Sequence, residues 1–249
     1  MTAPALENVT AADGTKLAVH RTGAGKPIVL LHGLFSSAEV NWIKFGTAQM
    51  LADAGFDVIM PDLRAHGLSE APHGDYAHNV LVDDLRAVIS HYQLGTFDLA
   101  GFSLGARTSL NAVIDGVRPE RLALVGMGWE GLAGWDKRIA FFVDAIDRFD
   151  EIRMGDAAFF AKSFMKTQKV DRVAARALLT SMQGTDLSNL SAVTMPTKVI
   201  NGDKDNDNGS AQTLVEKLPN ATFAEIPGTH MSCVSEPALG QELVRFFAD

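Results

Sequence analysis

A serine with a glycine two residues away on either side, Gly101-Phe102-Ser103-Leu104-Gly105, follows the short apolar run Phe97 to Ala100 and precedes an apolar, helix-compatible segment, Ala106 to Val117. Strand, sharp turn and helix in that order lift a hydroxyl out of the chain at the tip of the turn, and the two glycines let strand and helix approach closely. A serine hydroxyl is a poor nucleophile until a base accepts its proton. The chemistry therefore calls for a histidine and an orienting acid supplied by other parts of the chain.

The elements that must position such groups follow from periodicity. Thr10 to Thr22 reads as a hairpin about Asp13-Gly14, and Gly23-Ala24-Gly25-Lys26-Pro27 ends it. Ile28-Val29-Leu30-Leu31 is a continuous apolar run of the kind buried on both faces of a parallel sheet. One helix is predicted from about Ala38 to Ala54, stopped by Gly55, then a strand over Phe56 to Met60. A polar loop, Pro61 to Ser69, precedes a helix over Tyr76 to Gln93. Arg121 to Met127 supplies another strand. Between Gly128 and Pro196 the rhythm changes to successive amphipathic helices, at 137–149, 156–166 and 170–182. Strands at 197–201 and 222–226 and helices at 210–218 and 236–247 complete the chain. The expected architecture is α/β: a doubly wound, mostly parallel sheet of about eight strands, helices on both faces and a small helical insertion.

Sites in open α/β sheets form beyond the carboxyl ends of the strands. His32-Gly33-Leu34 follows the run at 28–31, and Ser103 follows that at 97–100. Gly202-Asp203-Lys204-Asp205 follows the strand at 197–201, and Pro227-Gly228-Thr229-His230 the last strand. A serine, an acid and a histidine thus occupy three strand ends in that chain order. His230 stands apart from the six other histidines by lying in the loop after the last strand.

With these motifs, and with Asp62-Leu63-Arg64-Ala65-His66-Gly67-x-Ser69, the chain resembles the α/β-hydrolase family over essentially its full length. The resemblance implies a Ser103–His230–Asp205 triad and an oxyanion hole made by the backbone N–H groups of Leu34 and Leu104. It also implies a core of residues 1–128 and 196–249 under a helical cap at 129–195, and no metal or organic cofactor. Asp203 and Asp207 cluster with Asp205, and Glu130 is the alternative acid, after the preceding core strand. His32 and His66 occupy motif positions that are structural in the family. Ala65 and Ala106 stand where glycine is frequent, which implies altered packing.

Ser103 points away from the aspartate-nucleophile branches, the epoxide hydrolases and haloalkane dehalogenases, and toward acyl or other carbonyl substrates. Hydrolases that cleave carbon–carbon bonds commonly carry a polar residue before the serine, where this chain has Phe102. The expected activity is a carboxylesterase acting on small to medium, moderately apolar esters. Lactonase, thioesterase, carbon–carbon bond hydrolase and perhydrolase share the same triad, and non-catalytic ligand binding is the alternative of a different class. The insertion contains Trp129, Trp135, Phe141, Phe142, Phe149, Phe159, Phe160, Phe164 and Met165, most of them expected to pack on the core and a few to face the cleft, and Arg138, Arg153 and Lys162 are its candidate ligands for a substrate carboxylate.

Composition narrows the partners. A net charge of −8 opposes electrostatic binding to nucleic acid or anionic membranes, leaving a small-molecule substrate. The single cysteine, Cys233, cannot form an internal disulfide. The amino-terminal residues, Met-Thr-Ala-Pro-Ala-Leu-Glu-Asn, lack the basic and apolar regions of a secretory signal, so a cytoplasmic protein is expected, as monomer or homodimer.

Overall fold

The computed structural model describes residues 3–248; residues 1, 2 and 249, the first two belonging to the amino-terminal stretch read above, lie outside it. Strands β1 (Ala5–Thr10), β2 (Lys16–Gly23), β3 (Lys26–Leu31), β4 (Phe56–Pro61), β5 (Asp98–Phe102), β6 (Leu122–Val125), β7 (Thr197–Gly202) and β8 (Ala221–Ile226) form one sheet in the order β1-β2-β4-β3-β5-β6-β7-β8. The β1–β2 and β2–β4 pairs are antiparallel, and every other pair is parallel.

Alternation along the strands divides the core. Ile28 and Leu30 of β3 join Val58, Ala100, Val125 and Ile200 on one face, against helices α1 (Thr47–Asp53) and α9 (Pro237–Ala248). Val29 and Leu31 join Leu99, Leu122, Leu124 and Val199 on the other, against α2 (Val80–His91), α3 (Leu104–Ile114) and α8 (Ala211–Lys217). Each such side chain taken from water contributes about 1.5–3 kcal/mol, so the interior strands carry most of the sheet's stability. β4, β5 and β6 are buried along their whole length, as apolar strands covered on both faces should be.

Between β6 and β7 run α4 (Trp129–Ala133), α5 (Trp135–Asp147), α6 (Phe159–Thr167), α7 (Arg172–Ser181) and a short 3-10 turn at Leu187–Ala192. Ala145, Ile146, Ile152, Met165, Ala175 and Leu179 form an apolar cluster joined by Phe35 from the loop after β3. That contact seats the helices over the carboxyl ends of the strands. Among the described residues no helix is long and apolar enough to cross a membrane.

Besides β1, which precedes the segment expected as a hairpin, and α4, which no expected helix covers, two elements differ from expectation. The segment 38–54 is not one helix: a wide turn at Glu39–Ile43, closed by Lys44 N–H on the Glu39 carbonyl at 2.9 Å, is separated from α1 by Gly46 at φ 86°. A left-handed residue cannot continue a right-handed helix, and Gly46 adopts that conformation at no steric cost. The second helix begins at Val80 rather than Tyr76, whose hydroxyl donates to the Pro72 carbonyl and whose ring faces the Arg64 guanidinium.

Candidate active site

β3 is flanked by β4 on one side and β5 on the other, so the chain reverses its direction of winding there and the β3 and β5 loops diverge to leave a crevice. Ser103, directly after β5, borders it with φ 52° and ψ −109°. Such a backbone costs a non-glycine residue about 1–3 kcal/mol and persists only where its surroundings impose it. Here Ser103 N–H donates to the Val125 carbonyl of β6 at 2.8 Å, and the Ser103 carbonyl accepts from Arg107 N–H at 3.0 Å. Close approach explains both glycines: a Cβ on Gly101 would lie 2.2 Å from the Gly105 backbone, and one on Gly105 would lie 2.2 Å from the Leu31 carbonyl oxygen.

Ser103, His230 and Asp205 stand in one hydrogen-bonded row. His230 Nε2 is 3.0 Å from Ser103 Oγ, and His230 Nδ1 is 2.9 Å from Asp205 Oδ2. A carboxylate only accepts, so Nδ1 carries the proton and Nε2 is left to accept from the serine hydroxyl. Asp205 also accepts from Asp207 N–H through its other oxygen. All three residues are buried.

The other candidate acids are engaged elsewhere. Asp203 accepts from Gly228 N–H at 2.7 Å, tying the loop after β7 to that after β8, and Glu130 accepts from Ser210 N–H at 2.7 Å. Asp207 is exposed and reaches Arg138 only through its backbone carbonyl.

Leu34 and Leu104 line the same cavity as Ser103. Leu104 opens α3, where the first N–H groups of a helix lack partners within it and the helix dipole is positive. The Leu34 loop is held by Asn41, whose Oδ1 accepts from Gly33 N–H at 2.9 Å. Sequence reasoning missed Asn41, since nothing in a helical segment marks an amide that reaches back to a strand loop. Phe102 was likewise underread: its ring stacks on the His230 imidazole at 4.8 Å between centroids and serves as a platform for it.

His32 and His66 lie outside the row. His32 Nε2 accepts from Leu63 N–H at 2.9 Å, so its Nδ1–H donates to the Gly33 carbonyl at 2.8 Å, which fastens the β3 loop to the β4 loop. His66 Nδ1 lies 2.8 Å from the Arg64 carbonyl, and burial pushes its imidazole down to about 3. Arg64 makes paired hydrogen bonds to Asp84 at 2.9 and 2.7 Å, so the 61–69 loop is a clamp. Ala65 takes φ 63°, where glycine rests more easily, with its methyl buried in the core.

The cavity beside Ser103 has a volume of about 570 Å³. Trp135, Phe141, Phe142, Phe160 and Phe164 of α5 and α6 line it, together with Met127; Trp129, Phe149, Phe159 and Met165 do not. Met165 lies inside the helical cluster with Phe149 and Phe159 packed on it, while Trp129 meets Lys217. Of the three basic candidates only Arg138 reaches the cavity. Arg153 donates to the Asp150 and Ile152 carbonyls, and Lys162 to that of Ile152.

A family model described as the alpha/beta hydrolase fold matches residues 26–151. An AB hydrolase superfamily protein, YisY, of Bacillus subtilis is 35% identical over 38% of this chain and 34% of its own. A 2-hydroxy-6-oxo-2,4-heptadienoate hydrolase of Pseudomonas putida is 32% identical over 46% of this chain and 42% of its own. The chain thus matches less than half the length of either relative. Among solved structures, a hydrolase from Pseudomonas aeruginosa superposes with a TM-score of 0.78 at 22% identity, covering 98% of both chains.

Proposed function

The chain belongs to the alpha/beta hydrolase fold family, and on that premise we propose that it is a serine hydrolase cleaving small to medium, moderately apolar carboxylic esters through an acyl-enzyme. The observation that carries the reading is the row Ser103–His230–Asp205 opening on an apolar cavity. In this mechanism His230 takes the Ser103 proton as Oγ attacks the ester carbonyl, and Asp205 stabilises the imidazolium. The N–H groups of Leu34 and Leu104 donate to the oxyanion as it forms. His230 then protonates the leaving alcohol, and water, activated by the same imidazole, releases the acid and restores the serine. Residues 129–195 act as a cap over a core of 1–128 and 196–249, and no step calls for a cofactor. A single cysteine, buried and unpaired, suits a reducing compartment, and we place the enzyme in the cytoplasm with a small-molecule substrate.

The test is labelling with a fluorophosphonate probe alongside turnover of p-nitrophenyl acylates. Stoichiometric label on Ser103 and a burst of nitrophenol are expected, and both vanish in Ser103→Ala. Turnover that survives this substitution would overturn the reading. The similarity to a heptadienoate hydrolase favours a second reading, hydrolysis of a carbon–carbon bond next to a carbonyl by the same serine. A panel holding both esters and vinylogous diketo acids separates the two by kcat/KM.

A further inference from the structure

Three charged side chains line the cavity beside Ser103: Lys137 and Arg138, both cationic, and Asp207. The lining is therefore net positive in a protein of net charge −8. Arg138 is the unusual member. Arg148, Arg172 and Arg176, on the same set of helices and the loop after α5, each have an aspartate carboxylate within 4 Å: Asp144 and Asp156, Asp150, and Asp147 respectively, whereas Arg153, outside the cavity lining, is taken up by the Asp150 and Ile152 carbonyls. Among the described residues Arg138 has no such partner. The one hydrogen bond of its guanidinium to the described residues runs from Nη1 to the Asp207 carbonyl at 2.7 Å, and the guanidinium lies 5.7 Å from the centre of the Phe142 ring. Burial pulls its proton affinity below the ordinary arginine value.

A part-buried guanidinium has lost much of its hydration, and the Asp207 and Asp205 carboxylates, neither of them an ion-pair partner, offset that loss only in part. The carbonyl bond and the aromatic face hold it in place while most of its donors remain open. The ligand that best suits those donors is a carboxylate, whose two oxygens match the guanidinium fork.

We propose that Arg138 is a specificity-determining residue that binds a free carboxylate of the substrate, so that the preferred substrates are half-esters of dicarboxylic acids, held by the free acid at Arg138 and cleaved at the ester by Ser103. The inference rests on the serine hydrolase reading. The carboxylate at Arg138 is not consumed: water adds across the acyl–oxygen bond, the alcohol leaves with a proton from His230, and a dicarboxylate is released. Lys137, more exposed at the cavity wall, adds attraction for the anion on approach.

The experiment compares kcat/KM for monoethyl and diethyl esters of succinic, glutaric and adipic acid in the wild type, Arg138→Gln and Arg138→Lys. A charge-assisted hydrogen bond of about 1.5–3 kcal/mol corresponds to roughly 10- to 150-fold, so the wild type should prefer the half-ester at least tenfold at one chain length. Arg138→Gln should erase that ratio, and Arg138→Lys should keep an intermediate one. In a parallel measurement, succinate, glutarate or adipate should slow fluorophosphonate labelling of Ser103 in the wild type and not in Arg138→Gln. A ratio at or below one at every length overturns the proposal. So does an equal fall for both esters in Arg138→Gln, which would mean that Arg138 only steadies the 205–208 loop. Ser103 that labels while the ratio stays flat removes the carboxylate subsite alone. Failure to label, with neither ester hydrolysed, removes the serine hydrolase reading and this inference with it.

Discussion

Ser103 owes the placing of its hydroxyl at the cavity to a backbone that β5, α3 and the Val125 carbonyl hold at positive φ, and His230 owes its aim to Phe102 beneath it and Asp205 behind it. The proposed role of Asp205 is to keep the proton on Nδ1, so Asp205→Asn should preserve the fold and lower kcat by about 10³–10⁴-fold, because an amide can donate to Nδ1 and favour the wrong tautomer. Asp203→Asn should leave kcat within a few fold, since Asp203 serves the Gly228 amide. Steady-state kinetics with circular dichroism on both variants checks this, and equal losses would show that the carboxylates exchange roles. The Gly-x-x-Asp205 spacing pointed to the residue that His230 meets. The stacking of Phe102 was illegible, because a phenylalanine beside a serine has the same composition whether it faces core or imidazole.

At the level of elements, α3 does more than follow the turn. Arg107, one turn in, is buried, and the Asp136 carboxylate offsets the desolvation of its charge only in part. Its Nη2 donates to the Gln183 carbonyl, its guanidinium stacks 3.9 Å from the centre of the Trp135 ring, and its Nε has no partner. Burial pulls it down to about 9, so the fold disfavours its charge. Replacement of a poorly compensated buried charge by an apolar side chain of similar length is neutral or stabilising, by about 1–4 kcal/mol in comparable cases. Arg107→Met should therefore unfold at the same or higher urea concentration. A loss above about 2 kcal/mol would show that the carbonyl bond and the Trp135 stack outweigh desolvation. The break at Gly46 was readable in hindsight as a glycine inside a helical pattern, whereas the return of Asn41 to Gly33 depended on how the broken segment packs.

Across the whole molecule, buried neutral histidines set the response to acid. Burial lowers the proton affinity of both His32 and His66, the latter to about 3, whereas in the unfolded chain each titrates near its ordinary value of 6.5. The unfolded state then binds more protons below that value, so the stability each contributes is complete above pH 6.5 and falls as the pH drops below it, for His66 through the window toward 3. The slope is about 1.4 kcal/mol per pH unit for each histidine. Urea unfolding at pH 7.5, 6.5, 5.5 and 4.5 should show a progressive loss, and His66→Asn should remove about one proton's share of the slope. Unchanged stability down to pH 4.5 would contradict it.

The α/β alternation, the strand–turn–helix about Ser103 and the chain order of serine, acid and histidine at strand ends were determined by the sequence alone. These rest on short-range facts: apolar runs, periodicity and glycines at turns. Only the tertiary structure decided which acid meets His230, which aromatics face the cavity, and that Arg138, unlike Arg153 or Lys162, turns toward Ser103's cavity. Those outcomes depend on the direction of side chains from elements that are distant in the chain, and helical spacing defines an apolar face without saying what that face will meet.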